Sequence, residues 1–448
     1  MSAPTEGGYD IRKRKTHRKS RKGCGNCKLR RVKCDEAHPQ CEKCIAYGVT
    51  CNYDGDATDE LQLPGEGAFT FISQPHQYAP AAEPESAPKD SLSPEGWYDK
   101  VEGMLGMPLE LHDIDEPYYV TEADVEAMRN FRDKTVWTIG TAQTVRFYRN
   151  EMMKMIDTVR FALPLTLTSI MLTPSPKFPY VVHITLSLSM MHTRYITSRN
   201  PWTTTPSAKE IFHHYHGTAL FNRLLSQPLE DSHRDPLWGT AALLGCITIG
   251  SIEARTAEEA WPLKRSSPED LDWLRMSDGK KEVWRIVDPL REDSVWRHAL
   301  DYGANKDPLP YDHRVPELDL LYPWLIKIYD FDPSSSEHNE DPYYTAASIL
   351  VRLLELDCNH STIMYFLSFL GHMDVRFRQL LHDKDPKALL LLSWWYGKMC
   401  QYNVWWQSRR MVLEGQAICL YLERNHADDP DVLRLLSYPR MMTGLIQS

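Results

Sequence analysis

Cys24, Cys27, Cys34, Cys41, Cys44 and Cys51 are the residues of this 448-residue chain best placed to do chemistry. Their spacing is C-x2-C-x6-C-x6-C-x2-C-x6-C, so the unit C-x2-C-x6-C occurs twice. The other four cysteines of ten (Cys246, Cys358, Cys400, Cys419) are scattered singly and read as buried thiols. The polar, basic N-terminus has no apolar export segment, so the expectation is a reducing compartment in which the six are metal ligands rather than disulfides. Two tetrahedral zinc ions need eight thiolate bonds, and six cysteines supply eight only if two of them bridge. A single zinc held by four thiolates would strand two cysteines. Each C-x2-C pair can grip one metal, the third cysteine of each half closes that site, and the first of each half bridges.

The repeat is symmetric in spacing but not in charge. Between Cys27 and Cys34 lie Lys28, Leu29, Arg30, Arg31, Val32 and Lys33, four of six basic. The matching stretch of the second half, Ile45 to Thr50, carries no charge. Upstream, Arg12, Lys13, Arg14, Lys15, Arg18, Lys19, Arg21 and Lys22 form a basic arm that repels itself too strongly to fold alone. Residues 1–53 hold 13 Lys/Arg against 5 Asp/Glu, which leaves 38 against 56 for the remainder of a chain whose net charge is −10. A basic head on an acidic body predicts that only the head meets nucleic acid. Arginine can bond bidentately to guanine O6 and N7, whereas most basic side chains serve phosphates, which position without specifying. The arm is expected to add phosphate contact and a nuclear import signal.

These residues resemble the fungal zinc-cluster (Zn2Cys6) transcription factors. Gly23-Cys-Gly-Asn-Cys-Lys-Leu-Arg-Arg-Val-Lys-Cys-Asp35 and Pro39-Gln-Cys41-x2-Cys44-x6-Cys51 match that family's signature. The resemblance implies two Zn2+ ions bridged by Cys24 and Cys41, and a loop shaped by Pro39. It also implies a first basic helix that enters the major groove over a CGG-like triplet. On it, Arg31 matches the base-reading position, with Lys28, Arg30 and Lys33 on phosphates. The expected protein is therefore a nuclear, sequence-specific regulator of RNA polymerase II transcription, acting as an activator of a metabolic pathway through coactivators. A zinc-dependent protein-interaction module is the rival that the basic helix argues against. The family often dimerises through a coiled coil just after the module. Here the prolines at 64, 75, 80, 84, 88 and 94 break any heptad stripe, which predicts a monomer or a dimer made through the body.

The elements that must carry this chemistry divide into a basic arm (1–23), the zinc module (24–53), a disordered Pro- and acid-rich linker (54–115) and an all-α regulatory domain (116–448). The fold class expected is thus a small binuclear cluster plus a mainly all-α body. The acidic–hydrophobic stretch Met107–Pro117 reads as an approach to the body, with an activation segment as the alternative. Thr121-Glu-Ala-Asp124 suggests a capping box. Helical periodicity follows at Val145–Phe161, Val181–Thr197, Ala208–Leu225, Trp238–Ala254, Pro316–Tyr329, Tyr343–Asp357, Thr362–Leu381, Lys387–Arg410 and Val412–Arg424. The longest apolar stretches, such as Val181–Met191, are too short to span a bilayer, so no membrane partner is expected.

The body also resembles the regulatory region of the sterol-uptake-control subgroup, through Pro179–His192, His213–Leu220 and Gly415–Cys419. That resemblance implies a small apolar ligand, for which Trp394-Trp395-Tyr396 and Trp405-Trp406 are candidate lining residues and ordinary core the alternative. His213, His214 and His216 lack a carboxylate at ligand spacing and read as helix-surface histidines. No Gly-rich phosphate loop, HExxH or G-x-S-x-G occurs, so no enzyme is expected.

Overall fold

The computed structural model describes residues 22–24, 27–28, 33–38, 41, 53, 94–156, 158–162, 172–297, 300, 323–331 and 341–445. The chain divides into two compact units, Met1–Lys89 and Asp90–Ser448. In the first, the described residues are those around the cysteines. Arg12 to Arg21 of the arm, Arg30, Arg31, Cys44, Cys51 and the linker before residue 94 lie outside the described residues.

The second unit is mainly helical. It opens with α1 (Pro94–Glu102), a hairpin of β1 (Pro108–Leu111) and β2 (Ile114–Tyr119), and α2 (Glu122–Asp133). This corrects the linker boundary at 115, because residues 94–119 are helix and hairpin rather than a structureless approach. Trp97 and Val101 of α1 are buried, and the Arg132 guanidinium of α2 lies 4.7 Å from the Trp97 ring. The Pro- and acid-rich composition hid a short helix that tertiary packing stabilises. Thr121 begins α2 as expected, its N–H donating to Asp124 Oδ2 at 2.9 Å.

The helix expected over Val145–Phe161 is present to Met155, as α3 (Ala142–Phe147), a wider-wound helical stretch at Tyr148–Met152 and a last turn at Met153–Met155; its expected end is instead β3 (Thr158–Ala162), which pairs antiparallel with β4 (Leu172–Pro176). The central element is α4 (Pro179–Thr197), whose residues 180–189 are all buried. A helix apolar all round must lie inside the protein. Two of its buried hydroxyls find backbone partners there: Ser189 donates to the Ala127 carbonyl at 2.5 Å and Ser187 to that of Glu210 at 3.2 Å. Against it pack α2, α5 (Ala208–Leu225) and α6 (Arg234–Gly250). Ser207 caps α5 by accepting from Glu210 N–H at 3.1 Å, and Arg194 grips the Glu210 carboxylate with two bonds of 2.9 and 2.8 Å.

Beyond α7 (Asp272–Val287) and α8 (Pro323–Tyr329), α9 (Tyr344–Leu354) leads into α10 (Ile363–Gly371) and α11 (Val375–His382). The expected single helix 362–381 breaks because Asp374 caps a new start, accepting from Arg376 N–H at 2.6 Å. The helix expected over 387–410 likewise ends early, at Met399 of α12 (Pro386–Met399), and α13 (Ser408–Asn425) follows after a connection. Two short helices, α14 (Pro430–Leu435) and α15 (Ser437–Met442), close the unit. Its main apolar core runs from Trp97 to Leu436, and a smaller cluster forms around Ala254, Ala260, Leu413 and Ala417. No helix among the described residues is long and apolar enough to cross a membrane.

Candidate metal centre

Cys24, Cys27, Cys34 and Cys41 come together in the first unit, with all four sulfur atoms within 4.8 Å of one another. Cys41 Sγ lies 3.9 Å from Cys24 Sγ and 3.5 Å from Cys27 Sγ. A tetrahedron with Zn–S bonds of about 2.3 Å has edges of about 3.8 Å, so the donor set fits a zinc ion in type, number and separation. All four side chains are buried. Among the described residues this is the one group of His, Cys, Asp or Glu side chains able to hold a metal.

Local backbone geometry explains how the ligands converge. Cys27 and Lys28 lie in a helical turn: Cys27 N–H donates to Cys24 Sγ at 3.4 Å and Lys28 N–H to the Cys24 carbonyl at 3.1 Å. Such N–H···S contacts orient a ligand sulfur towards the metal position. Gly23 is buried beside Cys34, and a Cβ there would lie 2.9 Å from Cys34 Cβ, so only glycine lets the two segments approach. After Cys34 the chain turns through Glu36, which has a φ of 63° and donates its N–H to Cys34 Sγ at 3.4 Å. Lys22, Lys28 and Lys33 are exposed around this buried sulfur core. Of the expected site residues, then, four cysteines are brought together and three lysines stand at their margin. Tyr53, which packs on the same group, has no spacing signal and sequence reasoning missed it.

The body's candidate constellations resolve differently. His213 and His216 are not surface residues but buried, at 0% and 4% exposure, with His214 half-buried. The carboxylate that local spacing lacked is Asp124, supplied by α2, with Oδ1 3.2 Å from His213 Nε2. His213 Nδ1 meets His183 Nδ1 at 2.8 Å, and His183 Nε2–H donates to the Glu110 carbonyl at 3.0 Å. His216 Nδ1 accepts from His112 N–H at 3.1 Å. This chain of bonds pins the β1–β2 hairpin to α2, α4 and α5. The aromatic stretch is core. Trp394, Trp395, Trp405 and Trp406 donate their indole N–H groups to Leu435 O, Phe366 O, Thr138 Oγ1 and Thr138 O at 3.1, 2.8, 2.7 and 3.0 Å.

Residues 22–59 match the family model described as the fungal Zn(2)-Cys(6) binuclear cluster domain. The chain thus carries a zinc-cluster domain of a DNA-binding regulator class, not of an enzyme class, and this domain binds two zinc ions. Among curated proteins, the chain is 46% identical over 77 residues to the Zn(2)-C6 fungal-type transcription factor afumD of Aspergillus fumigatus, covering 16% of this chain and 21% of that protein. It is 47% identical over 51 residues to a Zn(2)-C6 fungal-type transcription factor of Gibberella zeae, covering 11% and 10%. It is 58% identical over 41 residues to sterol uptake control protein 2 of Saccharomyces cerevisiae, covering 9% and 4%. The chain therefore spans about a fifth or less of the length of these relatives.

Proposed function

We propose that the protein is a nuclear, sequence-specific DNA-binding regulator of RNA polymerase II transcription, an activator that governs a metabolic pathway through CGG-like sites. The observation that carries this reading is the placement of four basic residues between two ligands of a buried sulfur cluster. Metal ligation at Cys27 and Cys34 would fix the ends of the segment 28–33, so its charges are presented from a rigid base. Arg31 reads guanine edges through a bidentate contact, and Lys28, Arg30 and Lys33 hold phosphates. Arg12, Lys13, Arg14, Lys15, Arg18, Lys19, Arg21 and Lys22 add phosphate contacts and the import signal. Cys44 and Cys51 complete the second zinc site, with Cys24 and Cys41 bridging; the closeness of Cys41 Sγ to both Cys24 and Cys27 supports Cys41 in that role.

The chain binds as a monomer or as a dimer made through the body, and recruits coactivators. Its likeness to the sterol uptake control protein lies in a 41-residue stretch and supports a shared manner of reading DNA. A sterol-type ligand for the body would need room at the aromatic cluster, where Trp395, Tyr396, Trp405 and Trp406 are buried and hydrogen-bonded.

Selection of sites from random duplexes with the full chain tests the proposal. One CGG-like half-site would mark a monomer and paired half-sites a dimer. With zinc retained, Arg31→Ala should lose sequence preference but keep salt-sensitive nonspecific binding. Unchanged preference in that variant would remove the base-reading assignment.

A further inference from the structure

Tyr53 stands two positions beyond Cys51 and packs against the group formed by Cys24, Cys27, Cys34 and Cys41. Its phenol donates to the Ala37 carbonyl at 3.0 Å, and the same oxygen lies 3.6 Å from Cys34 Sγ. Its ring covers that of His38, with centroids 3.9 Å apart and planes inclined by 35°. The segment it grips, Asp35–His38, leaves the third ligand through the left-handed Glu36 and is tightened by Ala37 N–H donating to Asp35 Oδ1 at 3.0 Å. A residue from beyond the second half of the repeat thus clasps the loop that leaves the first half.

We propose that Tyr53 is a positioning residue of the zinc centre. Its hydroxyl donates to the Ala37 carbonyl 3.6 Å from the Cys34 sulfur, and so ties down the loop that follows the third ligand and holds that ligand in place. Groups that hydrogen-bond to metal ligands orient them and tune both affinity and reactivity. Cys34 already accepts the Glu36 N–H, so the phenol gives it a second polar neighbour from a distant part of the chain. A ligand whose loop is tied down stays within reach of its metal, so the site opens less often to a competing chelator. The His38 ring sets the orientation of the phenol. This inference rests on zinc binding by the cysteines and is independent of how DNA is read.

The test uses the full chain loaded with zinc, and separately with cobalt as a spectroscopic probe. Tyr53→Phe keeps the ring on His38 and removes only the hydroxyl; Tyr53→Leu removes both. Zinc content establishes that the parent and Tyr53→Phe each load two ions before challenge with a chromogenic chelator. Tyr53→Phe is expected to release zinc about 10-fold faster than the parent, and to shift the cobalt ligand-field band, which reports the geometry of the four ligands. Release and band both unchanged in Tyr53→Phe would overturn the proposal. A defect confined to Tyr53→Leu would overturn it too, since ring packing alone would then explain the contact. Failure of the parent to load two ions would instead strike at the zinc reading itself.

Discussion

His213 Nε2 and Asp124 Oδ1 lie 3.2 Å apart with both side chains fully sealed from solvent, joining α5 to α2 across 89 positions of sequence. The donors and acceptors around them form an ordered chain. The Glu110 carbonyl can only accept, so His183 carries its proton on Nε2 and accepts at Nδ1 from His213. The other ring nitrogen of His213 then faces a carboxylate that Lys209 Nζ also reaches at 2.9 Å and the Tyr118 hydroxyl at 2.7 Å. Although burial pushes the Asp124 carboxyl up, hydrogen bonds from His213, Lys209 and Tyr118 hold it well below the usual carboxylate range. Asp124→Ala removes the acceptor from all of them and should destabilise the body by about 3–5 kcal/mol in urea unfolding. With His213→Phe it should form a cycle whose coupling is about 1 kcal/mol or more. Additive losses would mean the two residues act separately.

Acid should weaken the body well above the range of its carboxylates. Burial, with His213 nearby, holds His183 down to about 3, and burial with Lys134 nearby holds His192 down to about 4. The unfolded chain binds these protons near pH 6.5. Folded values lie below unfolded ones, so the stabilising contribution is complete above about pH 6.5 and is lost as pH falls towards the folded values. Each group contributes a slope of up to about 1.4 kcal/mol per pH unit. His192 stacks on Trp405 at 4.7 Å and lies 2.9 Å from Thr135 Oγ1, so a charge there has no carboxylate to meet among these neighbours. Unfolding midpoints at pH 7 and pH 5 should therefore differ less in His192→Gln than in the parent. Equal differences would show that His192 does not titrate in this way.

How legible these features were depended on whether their cause was local. The helical periodicity over Ala208–Leu225 defined α5 at both ends, because an apolar stripe is a property of neighbouring residues. The zinc module was legible for the same reason, since ligand spacing is written in the chain. His213 was not, because its neighbours on the helix diverge and its partners arrive from α2 and α4. Trp405 and Trp406 continue an apolar run, yet they belong to a connection anchored on Thr138, some 267 positions away. Asp374 caps a new helix inside a run for which periodicity alone predicts one helix from Thr362 to Leu381. Tyr53 gave no signal because its role lies in which loop it reaches.

Arg410 makes a second long-range junction that can be broken cleanly. It pairs with Glu414 on α13, both nearly sealed from solvent, and Glu414 also accepts from the Tyr396 hydroxyl. Its Nε and Nη2 donate to the Ile249 and Ser251 carbonyls at 2.9 Å each, satisfying the end of α6. Arg410→Met would leave the Glu414 carboxyl, already raised by burial, without its cation, and would orphan those carbonyls. A loss of about 3–5 kcal/mol is expected in denaturant titration. Arg410→Met with Glu414→Leu should recover part of it, because the uncompensated charge is gone. No recovery would assign the loss to the carbonyls of α6 alone.

Gly23 gives the sharpest test of how the metal centre is built. A Cβ at this position would sit 2.9 Å from Cys34 Cβ and 3.7 Å from Cys34 Sγ, closer to the first than side-chain carbons approach one another. Gly23→Ala must therefore move the segment carrying Cys24 away from Cys34, and two ligands of one site separate. Tetrahedral thiolate sites depend on such distances, so zinc affinity should fall about tenfold, or about 1.4 kcal/mol, in competition with a chelator. DNA binding should weaken in parallel and recover when excess zinc is supplied, because ligation and folding of such a module are coupled. The helical body is a separate compact unit, so its urea unfolding midpoint should not move. An alanine variant that holds zinc as tightly as the parent would show that the close approach of Gly23 and Cys34 is incidental to the cluster.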